Sequence, residues 1–206
     1  MKKLFAITLA LLMMLSLGSC GGSEGGEVEQ EVKEETIVLT GSGNQTLQVG
    51  SIEDGYVFHI TGNEAEEMFS VIGGDENGNL TTMLVLTEKN YDGITADMSL
   101  KTTQLEISAV GDWTVELVPI NNLPRYKAGE TVTGDKDTVF WTSDIGSYAV
   151  ISGNEAGGLL IVNAYGDEKS EQLLSTTEPF NGKVDITCSP FVMTVMASNE
   201  FSIELH

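Results

Sequence analysis

The sequence predicts an all-β protein whose body is two tandem antiparallel β-sandwiches. From residue 37 onward, short β-branched or aromatic runs follow one another, separated by Gly, Asn and Asp turns. The clearest runs alternate apolar and polar residues with a period of two, and no stretch beyond residue 20 keeps an amphipathic period of 3.6 over three turns. The pattern also occurs twice. At a spacing of 91, Gly43, Gly55, Ile60, Gly62, Asn63, Glu64 and Ala65 recur as Gly134, Gly146, Ile151, Gly153, Asn154, Glu155 and Ala156.

The amino end is a different kind of segment. Lys2 and Lys3 precede an apolar run over residues 4–17, the layout of a signal peptide. A membrane-spanning helix takes roughly 20 apolar residues, and Gly18, Ser19, Gly21 and Gly22 end this run sooner. The stretch Leu17-Gly18-Ser19-Cys20 resembles the lipidation box of bacterial lipoproteins, with small residues before the cysteine that suit a signal peptidase. The resemblance implies that residues 1–19 are removed and that Cys20 is acylated and becomes the first residue of the mature chain. The body is then extracytoplasmic, lipid-anchored to the bacterial cell membrane. One acyl chain binds a bilayer marginally, whereas two or more hold it stably. Gly21 differs from the Asp that resembles an inner-membrane retention signal.

Residues 21–36 are rich in Gly and Glu and nearly free of large apolar side chains, so they bury too little surface to offset the entropy of ordering. Residues 20–36 are therefore expected to be the lipidated cysteine and a disordered linker. A flexible coil of this length spans roughly 20–25 Å, and repulsion among Glu24, Glu27, Glu29, Glu31, Glu34 and Glu35 extends it.

The first sandwich is expected over residues 37–120. Strand-like runs at 56–60, 68–72 and 83–86 precede Leu105, Ile107 and Ala109, which alternate with Glu106 and Ser108. After the Gly111-Asp112 turn, Trp113, Val115 and Leu117 alternate with Thr114 and Glu116. That is a hairpin with one buried face. Residues 121–125, containing Pro124, form a connector. The second sandwich, residues 126–206, has runs at 139–141, 148–151 and 159–162. It closes on Met193, Val195 and Ala197, a turn at 198–200, and Phe201, Ile203 and Leu205. Many short strands with regular turns fit a jelly-roll or immunoglobulin-like sandwich per copy.

Charge excludes several functions. Without the leader the chain keeps eight basic side chains, the 10 of the whole less Lys2 and Lys3, against 31 acidic ones, a net of −23. Such a surface repels phosphate backbones and anionic lipid head groups, which argues against nucleic acid as a partner and against a body lying flat on a membrane. With Cys20 acylated only Cys188 remains, so no intrachain disulfide is available and Cys188 reads as a small buried hydrophobe.

Residues for chemistry are few. His59 and His206 are the only histidines, too little for a Ser-His-acid triad or a histidine-based zinc site. Asp75, Asn77 and Asn79 invite a calcium reading, but an EF-hand needs Gly and Glu where Leu80 and Leu86 stand. Asn77-Gly78 reads instead as a hairpin turn. The repeated Glu64 and Glu155 are candidate ligand contacts at equivalent loops, although common ancestry of the two copies also accounts for them. Trp113 shares a side with Val115 and Leu117 and reads as core. Trp141, whose counterpart at the spacing of 91 is Gly50, is the candidate aromatic for stacking on a sugar.

Gly111-Asp112-Trp113-Thr114-Val115, with the strand before it and the Tyr91-Asp92-Gly93 loop, resembles the small β-sandwich repeats of Gram-positive surface lipoproteins. The second copy departs from it, with Asn199-Glu200-Phe201 in place of Gly-Asp-Trp. The resemblance implies a fold and a surface location, and brings no catalytic residue, cofactor or metal. The expectation is a non-enzymatic binding or spacer module with a glycan, cell-wall or protein partner, anchored through Cys20. The alternatives are a glycoside hydrolase-like enzyme using a pair of acids, or a solute or export-accessory lipoprotein.

Overall fold

The computed structural model describes residues 34–50, 55–167 and 169–206. The expected leader, Cys20 and most of the expected linker lie outside the described residues. The described residues belong to one compact unit, Lys33–His206.

The first half contributes eight strands: β1 (Ile37–Ser42), β2 (Gln45–Gln48), β3 (Tyr56–Gly62), β4 (Phe69–Gly74), β5 (Leu80–Thr87), β6 (Tyr91–Thr95), β7 (Gln104–Ser108) and β8 (Asp112–Pro119). They form two four-stranded sheets, ordered β1-β8-β3-β6 and β2-β7-β4-β5. This is jelly-roll order, with every pairing antiparallel. A 3₁₀ turn, Ile120–Asn122, leads into the second half: β9 (Arg125–Lys127), β10 (Thr131–Gly134), β11 (Thr138–Ser143), β12 (Tyr148–Gly153), β13 (Leu160–Gly166), β14 (Ser170–Thr176), β15 (Phe180–Asp185), β16 (Pro190–Ala197) and β17 (Phe201–Leu205). Its sheets run β10-β17-β12-β15 and β14-β13-β16-β11-β9. Strand for strand this is the first half again, with β9 added parallel to β11. The all-β sandwich expectation holds, and the strand order selects the jelly roll over the immunoglobulin-like alternative.

Period-two alternation explains each core. In the first half Phe58, Ile60, Phe69, Val71, Leu105, Ile107, Trp113 and Val115 point between the sheets. In the second, Phe140, Ile151, Leu160, Val162, Met193, Val195, Phe201 and Ile203 do the same. Each such side chain contributes about 1.5–3 kcal/mol on full burial. Trp113 is core, as its alternation required.

The register corrects the sequence alignment in β1 and β2. Gly41 pairs with Trp113 and Gly134 with Phe201, so Gly134 answers to Gly41 and not to Gly43. The reason is steric: a Cβ on Gly41 would meet the Trp113 ring at 2.2 Å and one on Gly134 the Phe201 ring at 2.9 Å. Likewise Thr138 pairs with Val195 as Gln45 pairs with Ile107, which makes Gln48, not Gly50, the counterpart of Trp141. In β3 and β4 the spacing is 91, because the first half carries two more residues between β2 and β3, and it falls to 88 by β7 and β8.

A third cluster joins the halves. Val57 packs with Val139, Val192 and Leu123, flanked by Ile94, Val118, Ile120, Trp141 and Phe191. Asp137 supplies the polar part of this joint. Its carboxylate accepts from the Tyr91 hydroxyl at 2.7 Å and from the Ala197 N–H at 2.9 Å, and its carbonyl accepts from the Ile94 N–H at 2.9 Å. Glu34, expected to be linker, accepts from the side chains of Asn121 and Asn122 at the connector.

Candidate functional site: a groove repeated in both halves

The repeated Gly-Asn-Glu-Ala sequence makes the turn after β3 and after β12. Asn63 and Asn154 sit there with φ of 67° and 64°, a left-handed conformation that Asn tolerates better than most residues. Both are buried, and both use the side-chain amide as a staple. Asn63 Nδ2 donates to the carbonyls of Glu67 (2.6 Å) and Lys89 (2.9 Å). Asn154 Nδ2 donates to those of Gly158 (2.9 Å) and Glu178 (3.3 Å). The asparagine therefore explains the motif structurally, and the adjacent Glu64 and Glu155 are left exposed.

Each of these glutamates stands on the rim of a groove. In the second half the groove has a volume of ≈ 590 Å³ and is lined by Thr133, Asp135, Ser152, Glu155, Asn181 and Glu200, with Phe201 beneath. In the first half Thr61, Glu64, Asp92, Asp112 and Thr114 line a groove of ≈ 290 Å³ over Trp113. The strand register makes the linings equivalent: Thr61 matches Ser152, Glu64 matches Glu155, Asp92 matches Asn181, and Asp112 matches Glu200.

The two grooves differ in what their walls are already doing. In the first, the Tyr91 hydroxyl is spent on Asp137, and burial, with Asp137 beside it, pushes that phenol far above its ordinary value. Asp92 is held by the Lys136 ammonium at 2.5 Å and by His59 Nε2 at 2.8 Å. Hydrogen bonds from Lys136 and His59 keep its carboxyl below the usual range. The second half has Phe180 and Asn181 at these places. Among the described residues, Asp135, Glu155 and Glu200 enter no ion pair. The second groove is thus wider and rich in free acceptors, with hydroxyls at Thr133, Ser152 and Ser202 and an amide at Asn181. Such a lining suits a ligand that presents many O–H or N–H donors.

Sequence reasoning missed the group around His59. Its ring lies between Asp92 Oδ1 and Glu116 Oε2, the latter 2.9 Å from Nδ1. Burial lowers its pKa, but hydrogen bonds and charge from Asp92 and Glu116 outweigh this and raise it. The signal was a difference between the copies, since Val150 and Asn181 replace His59 and Asp92 in the second half.

Trp141 lies in the seam between the halves and not in the groove lining. It is half-buried: its indole N–H donates to the Ile120 carbonyl, Phe191 packs 5.7 Å away, and the Arg125 guanidinium sits 5.2 Å from the ring centre. Gly78, at φ 79°, makes the hairpin expected at Asn77-Gly78, and the Asp75 carboxylate accepts from the N–H groups of Asn77 and Asn79. No group of three or more His, Cys, Asp or Glu is arranged to hold a metal among the described residues.

No known family profile matches the chain, and no curated protein is similar to it. Among solved structures, one described as cAMP-bound PfPKA-R is similar over 79% of this chain and 71% of its own, at 8% identity and a TM-score of 0.23. A likeness this slight carries nothing about ligand or activity.

Proposed function

We propose that the protein is a membrane-anchored extracytoplasmic lipoprotein that acts as a non-enzymatic binding module, taking a polyhydroxylated glycan of the cell wall or cell surface in the groove of its second half. The observation that carries this reading is the groove itself, present at equivalent positions of both jelly rolls but twice as large, and lined by unpaired acceptors, in the second. Carboxylates, hydroxyls and an amide on one wall match the donor-rich rim of a sugar, while the free acids disfavour phosphate-bearing ligands. The lipidation box at Cys20 and the acidic linker support a body held off the membrane, where wall polymer is within reach.

A pull-down of wall and glycan fractions, with and without calcium, tests the reading. Retention of wall glycan that is lost in Glu155→Gln supports it, whereas retention of nothing leaves a spacer. Loss in Trp141→Ala but not in Glu155→Gln moves the site to the seam. Fractionation addresses the anchor separately: Cys20→Ser should release the chain from membranes, and acyl chains should be found on the native amino terminus.

A further inference from the structure

The wide groove of the second half does not end at its own rim. Asp135, between β10 and β11, lines that groove and also a second cleft of ≈ 290 Å³ in the seam between the halves. Leu86 from the first half and Leu159 and Met196 from the second line this cleft, and all three are exposed. The duplication shows that the jelly roll does not require two of them. Leu86 lies opposite Ser70 and Met196 opposite Ile161, and the matching places of the other copy hold Ser175, opposite Ile161, and Ser108, opposite Ser70. The polar groups of the cleft divide into spent and free. Tyr91 and Asp137 bond each other, and Lys136 is paired with Asp92. Lys89 enters no ion pair among the described residues, and neither does Asp135.

We propose that the seam cleft is a second subsite that continues the groove past Asp135, so that the ligand is a linear glycan long enough to fill both. The inference rests on the reading of the groove as a glycan site. Chemistry selects the occupant. The groove offers the acceptors Asp135, Glu155 and Glu200, whereas the cleft offers the Lys89 ammonium, a donor only. Sugar hydroxyls donate and accept, so one chain satisfies both concavities, while a polycation is repelled by Lys89 and a polyanion by the acids of the groove. A sugar ring also has an apolar C–H face, which Leu86, Leu159 and Met196 remove from water. The cleft reaches Asp92 of the first-half groove as well, but Lys136 and His59 already hold that carboxylate, so the track ends there.

Calorimetric titration of the full chain carrying Cys20→Ser with size-sorted fragments of solubilised wall polysaccharide tests this. Affinity should rise about tenfold or more beyond the shortest fragment that binds, then level off once both subsites are filled. Leu86→Ser with Met196→Ser, the residues of the equivalent places, should abolish the gain and leave the affinity of the shortest fragment unchanged. Lys89→Gln, at an exposed side chain, should reduce the gain too, and it decides the matter should the double variant lose its cooperative melt. An affinity independent of length overturns the proposal, and so does a gain that survives these variants, which is then only statistical. In either case, binding of the shortest fragment that is lost in Glu155→Gln with Glu200→Gln leaves the groove reading standing. A gain removed by Glu64→Gln with Asp112→Gln instead would carry the chain into the first groove and overturn the proposal. No binding of any fragment overturns the groove reading and the proposal together.

Discussion

The Tyr91 hydroxyl donates to the Asp137 carboxylate at 2.7 Å, across the boundary between the two jelly rolls. Tyr91 opens β6 of the first half, and Asp137 precedes β11 of the second. The same carboxylate accepts from the Ala197 N–H, so one side chain ties the end of β16 in the second half to the start of β6 in the first. Burial raises the Asp137 pKa against the lowering effect of these two donors.

Tyr91→Phe should cost about 1–2 kcal/mol in urea denaturation, since it leaves one acceptor site of a largely buried carboxylate empty. Asp137→Ala should cost more, about 2–3 kcal/mol, because it strands both the phenol and the Ala197 N–H. The double variant should be less destabilised than the sum, and Asp137→Ala should broaden the transition as the halves begin to unfold separately. Additive effects with an unchanged slope would show that the bond does not couple the halves.

Asn63→Ala and Asn154→Ala should each destabilise by about 3–4 kcal/mol: two staple bonds at about 1 kcal/mol each, plus about 1–2 kcal/mol for placing alanine at positive φ. Asn→Gly at either position should recover the backbone part only. Equal losses in the two variants are expected from the equivalent geometry, and chemical denaturation measures them.

The duplication was legible because it is written in residues that the backbone requires. Asn63 and Asn154 occupy left-handed turns, and the alternation of Leu105, Ile107, Trp113 and Val115 puts one face in the core. What sequence could not supply was register. Gly43 and Gly41 lie two residues apart, and only pairing with Trp113 tells which one makes room for the ring. Trp141 showed the same limit, since a large aromatic in a strand looks alike whether it faces a ligand or a neighbouring domain. Of the candidate site, Glu64 and Glu155 were visible as repeated letters. Asp135, Asn181 and Glu200 come from distant strands and could be gathered only by the fold.

His59 makes stability depend on pH. Its folded pKa stands above the ordinary 6.5, so the protonated ring is favoured in the folded state. The stabilisation is fully present below about pH 6.5 and is lost as pH rises through the raised folded value. Melting temperature should therefore fall as pH rises above about 6.5, and His59→Val, the residue of the second copy, should remove that part of the slope. An NMR titration of the ring should report the raised value directly and find it reduced in Asp92→Asn. A ring titrating below 6.5 would contradict the ion-pair geometry.

Calorimetric titration of the protein with solubilised wall polysaccharide tests most directly whether the groove beneath Glu155 binds a wall or surface glycan. Saturable binding is predicted, weakened about tenfold or more by Glu155→Gln together with Glu200→Gln, which remove two unpaired acceptors that would grip sugar hydroxyls. Glu64→Gln together with Asp112→Gln, the equivalent pair over the narrower groove of the first half, should change affinity little. Absence of saturable binding, or an affinity untouched by the Glu155 and Glu200 changes, would contradict the account.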